Sequence, residues 1–372
     1  MTYRKSIILT AAIFIGLSAS QHFFKGINPM TNYREEIVQY QNNTANITLE
    51  GTLTIPLNIT TKPPVIILIA GYGKNDRNLS YAKEQFKVIA EYFSNNGIAC
   101  LRYDKRGVGK STGNFDTATT YDFAQDARAG VTYLKTRIDI DAHNIGLMGH
   151  SEGGLMASII ASESTNIAFI ILSGAAVLTN VHDFIKMSHL QMKADGASEH
   201  FLRHDGAMRE KLFFTITHIN DCALAETKLR TIISHYLSES TEEEKIQATK
   251  LHFAITEKNT DAIIKTFNST WYRYFLSCNP PHFLQKVTVP TLAINGSLDW
   301  IAYPGMTFPI MKQALSHNHH ATFIEMPGLN HSLQTCATGA MAEYFTPQEA
   351  INPEALEIMT EWITKNCINT KK

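Results

Sequence analysis

Three side chains of this 372-residue chain have the types and the order that nucleophilic acyl chemistry needs. Ser151 stands in Gly149-His150-Ser151-Glu152-Gly153, with Gly154 next, and fits G-x-S-x-G. A strand-like run, 144–149, precedes it and a helix-like run, 152–162, follows. A strand that turns straight into a helix holds its central residue in a strained backbone conformation and lifts the hydroxyl off the carboxyl edge of the sheet. A side chain two positions to either side would collide with neighbouring elements, so glycine is needed at 149 and 153. The bland alternative, an inert serine in a glycine-rich turn, ignores that flanking context.

A serine hydroxyl is a weak nucleophile near neutral pH; it needs a base, and the base needs an orienting acid. Asp299 in "AINGSLDW" and His331 in "MPGLNHS" each follow a β-like run, so both belong on loops at the edge that carries Ser151. Their order, serine then acid then histidine, is the one this strand–turn–helix context calls for. Alone, Asp299 reads as a turn aspartate and His331 as an exposed loop histidine; the constellation carries the reading. Two backbone amides must receive the oxyanion. The helix start at Glu152 offers one. The loop "AGYGKNDRN" (70–78) offers the amide of Tyr72, with Gly71 and Gly73 allowing close backbone approach. This chemistry requires no metal and no organic cofactor.

The elements that position these residues follow from hydrophobic periodicity. Residues 35–57 alternate polar and apolar and predict antiparallel strands joined by a turn. "PPVIILIAGYG" (63–73), "IACLRYD" (98–104), "NIGLMG" (144–149), "IAFIILSGAA" (167–176), "PTLAING" (290–296) and "ATFIEMPG" (321–328) read as buried strands. Amphipathic stretches at 81–96, 121–137, 152–162 and 353–366 alternate with them. That alternation predicts an α/β fold, a mostly parallel sheet with helices on both faces. Residues 177–285 break the pattern with helical spacing alone. They predict an inserted helical cap between core segments 23–176 and 286–372.

The stretches "IAGYGKNDRN", "LRYDKRGVGKSTG", "GHSEGG", "NGSLDW" and "GLNHS" resemble the α/β-hydrolase superfamily in its serine-esterase and lipase-like branch. The resemblance covers most of 63–331 apart from the insertion. It implies the α/β-hydrolase fold, a triad of Ser151, Asp299 and His331, an oxyanion hole at Tyr72 and Glu152, and a cap domain in the insertion. The chain departs from many relatives in carrying Ala70-Gly71 where they have His-Gly, and in its long helical cap. Both departures leave the substrate open.

Composition narrows the class. The 33 Lys and Arg nearly balance the 34 Asp and Glu, so nothing points to nucleic acid. Arg4 and Lys5, the apolar run Ile7–Leu17 and the small residues Ser18–Ser20 read as a cleaved secretory leader within 1–22. An uncleaved membrane anchor is the alternative. The expected location is therefore outside the cytoplasm, periplasmic or secreted. Five cysteines, Cys100, Cys222, Cys278, Cys336 and Cys367, leave at least one unpaired, and Cys100 reads as a buried small hydrophobe.

Other signals are discounted. "GVGKST" lacks the earlier glycine of a phosphate loop, since position 104 is Asp; the expected role of that loop is structural, with Asp104 and Arg106 paired. "SHNHH" (316–320) reads as a solvated helix end, and His150 as a packing residue. The leading expectation is a hydrolase of carboxylic esters or thioesters acting on a small-molecule acyl substrate through an acyl-enzyme. A serine peptidase of aminopeptidase type would need an acidic cluster in the cap, for which "STEEEK" is the candidate, although that stretch reads first as a solvated helix face. An acyltransferase, or a non-catalytic binding protein on the same scaffold, completes the alternatives. No oligomeric state follows from the sequence.

Overall fold

The computed structural model describes residues 32–346 and 349–368. The leader or anchor expected at 1–22 lies outside the described residues. Among those described, no helix is long and apolar enough to cross a membrane.

Strands β1 (Tyr33–Asn42) and β2 (Ile47–Pro56) pair antiparallel, with Tyr40 opposite Leu49 and Asn46 turning the chain at φ 52°. Then β3 (Val65–Ile69), α1 (Gln85–Asn95), β4 (Ala99–Tyr103), α2 (Thr120–Leu134), β5 (Ile145–His150), α3 (Glu152–Glu163) and β6 (Phe169–Ser173) alternate. Helices α4 (Val181–Ala194), α5 (Glu199–His218), α6 (Cys222–Glu239), α7 (Glu242–Ala248), α8 (Thr260–Phe267), α9 (Thr270–Ser277) and α10 (Pro280–Leu284) follow. The chain returns to the sheet with β7 (Thr291–Gly296), α11 (Pro304–Ala314), β8 (Ala321–Met326) and α12 (Pro353–Ile363). Sheet order is β1-β2-β4-β3-β5-β6-β7-β8, parallel from β4 onward.

Strands β3 to β7 are buried along their whole length because helices cover both faces. Successive side chains still separate by face. Ile67 and Leu147 join the core beneath α2 and α3; Ile66, Leu68 and Met148 join the one beneath α1 and α12. Helices α4, α5, α6, α8 and α9 bury a separate core that includes Leu212, Phe213, Leu229 and Ile233, and Ala248 of α7 joins a smaller one with Met192 and Phe201. Helix α10 packs on α3 and α11, and Leu284 belongs to the sheet's core.

Three local details bear on the sequence-based picture, and the partners that Asp104 and Arg106 take correct it. Helix α11 is the helix-like stretch read ahead of 316–320, and it forms although Gly305 and Pro309 punctuate it; Pro304 takes the first helical position, where no N–H is needed. Asp104 and Arg106 do not pair with each other. Asp104 takes the Arg77 guanidinium at 2.6 Å and Arg106 takes Asp126 at 2.6 Å, since each has a complementary partner on its own side of the loop. Thr241 and Glu244 of "STEEEK" form a capping box at the start of α7. Cys100, Cys222, Cys278 and Cys336 are free thiols, and Cys100 is buried in β4.

Candidate active site

Ser151 sits between β5 and α3 at φ 56° and ψ −122°, a conformation that L-residues rarely occupy. The flanking glycines are obligatory by contact. A Cβ on Gly149 would lie 2.0 Å from the Gly153 carbonyl oxygen, and one on Gly153 would lie 2.1 Å from that of Ile69. The Ser151 amide donates to the Ser173 carbonyl at 2.9 Å, which fixes the bend against the end of β6.

Asp299 follows β7 and is fully buried. Its Oδ1 accepts from the amides of Ile301 (3.0 Å) and Ala302 (2.7 Å), which orients Oδ2 towards His331 Nδ1 at 2.9 Å. Occupying Nδ1 with a proton directed at Asp299 leaves Nε2 as the basic nitrogen of the neutral ring. The His331 ring packs at 4.7 Å on His150, the neighbour of Ser151. Gly174 (φ 54°) lets the pair approach the end of β6: a Cβ there would lie 3.0 Å from His331 Nδ1 and 3.2 Å from Asp299 Oδ2. The structure thus brings Ser151, Asp299 and His331 to one rim of the sheet. Among the described residues, the Ser151 hydroxyl and His331 Nε2 make no hydrogen bond. Catalytic hydrogen bonds in unliganded enzymes are commonly long and tighten with substrate.

His150 is buried, and its pKa is pushed down to about 3, first by burial and then by the neighbouring His331. It stays neutral and packs against the His331 ring at a tilt of 47°.

The amides of Tyr72 and Glu152 make no hydrogen bonds within the described residues. A buried network that the sequence did not signal holds both. Lys105 Nζ and Asn75 Nδ2 (2.9 Å) donate to the Gly71 carbonyl, the other half of the peptide group that carries the Tyr72 amide. Peptide planarity then fixes where that N–H points. Lys105 is 2% exposed, lies 4.0 Å from Glu152 Oε2 and sits over the Phe123 ring; burial holds its pKa below the usual lysine range. Glu152 Oε1 accepts from Thr120 Oγ1 (2.7 Å) and from Trp271 Nε1 (2.6 Å) on α9. The Trp271 ring also stacks on Tyr72 at 4.3 Å. One cap residue therefore touches both residues that supply the unpaired amides. In sequence, Lys105 reads only as a charge in a loop and Trp271 only as a helix aromatic.

A cavity of about 420 Å³ opens above Ser151, walled by Tyr72, Phe184, Met187, Phe213, Phe267 and Trp271 among others. Glu152 is the one carboxylate among its lining residues, and Trp271 and Thr120 already engage it. The "STEEEK" acids do not line it; Glu244 bonds His204 at 3.1 Å.

Comparison with known proteins agrees with this architecture. Residues 80–335 match the Hydrolase_4 family, described as serine aminopeptidase, S33. An esterase of Pyrococcus furiosus shares the fold at a TM-score of 0.55 and 16% identity, over 92% of this chain and 96% of that one. An acyl transferase of Photobacterium leiognathi is 27% identical over 166 residues, 44% of this chain and 49% of that protein. A multifunctional-autoprocessing repeats-in-toxin protein of Vibrio vulnificus is 34% identical over 101 residues, 27% of this chain but 2% of the toxin. The chain thus spans about half the length of the acyl transferase and a small fraction of the toxin. The fold, and a family match that runs from residue 80 to just beyond His331, make this chain an α/β-hydrolase of the S33 serine aminopeptidase family.

Proposed function

We propose that the protein is a serine hydrolase that cleaves a carboxylic ester or thioester through an acyl-enzyme. The observation that carries this reading is the strained Ser151 elbow beside the His331–Asp299 pair at 2.9 Å. Ser151 Oγ attacks the substrate carbonyl carbon as His331 Nε2 takes the hydroxyl proton. Asp299 holds the ring and balances the imidazolium. The oxyanion of the tetrahedral intermediate lies between the Tyr72 and Glu152 amides. Collapse breaks the bond to the leaving alcohol or thiol, which receives the proton from His331. Water then attacks the acyl carbon with the same base, releasing the acid and restoring Ser151.

The apolar cavity supports an acyl or alcohol group as the part bound under the cap. The peptidase alternative is less well supported, because the one carboxylate on that wall, Glu152, already accepts from Trp271 and Thr120 and faces the Lys105 cation. Likeness to an acyl transferase makes transfer to an alcohol acceptor a second outcome to be measured on the same acyl-enzyme.

A fluorophosphonate probe should label the folded protein and fail to label Ser151→Ala. Asp299→Asn should lower kcat on p-nitrophenyl esters by about four orders of magnitude. Ester turnover should exceed turnover of aminoacyl amides, and products formed with added alcohols report any transfer. An unlabelled, folded wild type would sink the proposal.

A further inference from the structure

The cavity above Ser151 is mostly aromatic, yet its wall includes a guanidinium. Arg209 on α5 lines it together with Tyr272 on α9. Arg209 is 4% exposed. Its Nε donates to Asp205 Oδ2 at 2.5 Å and its Nη2 to the Phe253 carbonyl. Among the described residues, Arg209 Nη1 and the Tyr272 hydroxyl make no hydrogen bond. Helices α5 and α9 pack against each other, which brings both groups to the lining of the same cavity. Both donors face the cavity rather than protein acceptors, so a ligand that fills it strips their hydration and must replace it with an acceptor.

Charge limits what can satisfy them. Asp205 is fully buried, and His189 Nε2 also reaches its Oδ2 at 2.9 Å. Burial works against its ionisation, but Arg209 and His189 outweigh that and hold its carboxyl below the usual range. Arg209 is therefore already balanced, and the pair offers hydrogen-bond donors more than net charge. A second carboxylate brought by a ligand would meet Asp205 at low dielectric.

We infer that the portion of the substrate lodged in this cavity carries a neutral oxygen acceptor, a keto or hydroxyl group, which takes hydrogen bonds from Arg209 Nη1 and the Tyr272 hydroxyl. This rests on the ester-hydrolase reading and narrows its substrate class to oxygenated chains. A plain alkyl chain in the same place leaves both donors unpaired, and sites built around such donors discriminate strongly against it.

The test compares kcat/KM for matched substrates with the full chain. One arm uses p-nitrophenyl alkanoates against the same esters carrying one keto group at successive positions. The other uses butyrate esters of plain against keto alcohols, and so tells acyl from alcohol occupancy. At least one keto position should be preferred by about tenfold or more, and Tyr272→Phe should bring that ratio to within about threefold of unity. Arg209→Met combined with Asp205→Asn, which removes both charges together, should do the same; if it does not fold, Tyr272→Phe decides. Plain esters hydrolysed with no keto preference in either arm would overturn the inference and leave the hydrolase reading standing. A keto preference undiminished in Tyr272→Phe would also overturn it. No turnover of either series would remove both.

Discussion

Lys105 shows how a single buried charge supports a site it does not touch. It holds the Gly71 carbonyl and faces Glu152 Oε2, which has no hydrogen-bond partner of its own. Lys105→Met leaves that carboxylate buried without a cation and should destabilise the fold by about 3–5 kcal/mol. Adding Glu152→Gln removes the second charge while keeping an acceptor for Trp271 and Thr120. The double variant should regain at least half of the loss, as measured by urea unfolding. If the two losses simply add, the residues are not coupled. Ser151, Asp299 and His331 were legible as candidates because the chemistry proposed for them demands particular residue types in a particular order. Lys105, Asn75 and Trp271 were not, because their partners are a backbone carbonyl and side chains remote in the chain.

At the scale of elements, the β5–Ser151–α3 bend is a packing constraint before it is a chemical device. Gly153 meets the end of β3, whereas Gly97, just past α1 at φ 84°, has nothing within 4 Å of its missing Cβ. Gly153→Ala should therefore cost more than about 3 kcal/mol or prevent soluble folding, while Gly97→Ala carries only left-handed backbone strain of about 1–2 kcal/mol. Chemical denaturation of both variants checks the order, and the reverse order would contradict the packing argument. The strands were readable from unbroken apolar runs, and the helices around them from their periodicity. Helix α11 was readable only as a helix-like stretch without bounds, since its prolines and glycine signal a turn locally and the adjoining sheet overrides them.

For the molecule as a whole, the neutral histidine under the site links folding to pH. The His150 pKa falls from an ordinary histidine's 6.5 to about 3 in the fold. The unfolded chain therefore binds one more proton between those values, and stability falls as pH drops through that window; above it His150 contributes no pH dependence. Wild type should lose about 2 kcal/mol more than His150→Phe between pH ~7 and pH ~5, as read from unfolding free energies. Equal losses would mean that the buried ring takes up its proton without unfolding. By itself, the sequence determined the layered α/β plan and singled out the candidate nucleophile, acid and base, because local periodicity and residue chemistry are properties of short stretches. Only tertiary structure decided which charges pair around the oxyanion loop, how Trp271 of α9 contacts it, and that Arg209 and Tyr272 line an otherwise apolar cavity. Those outcomes depend on which distant residues become neighbours once water is excluded, and hydrogen bonds and charges are weighted by that burial rather than by position along the chain.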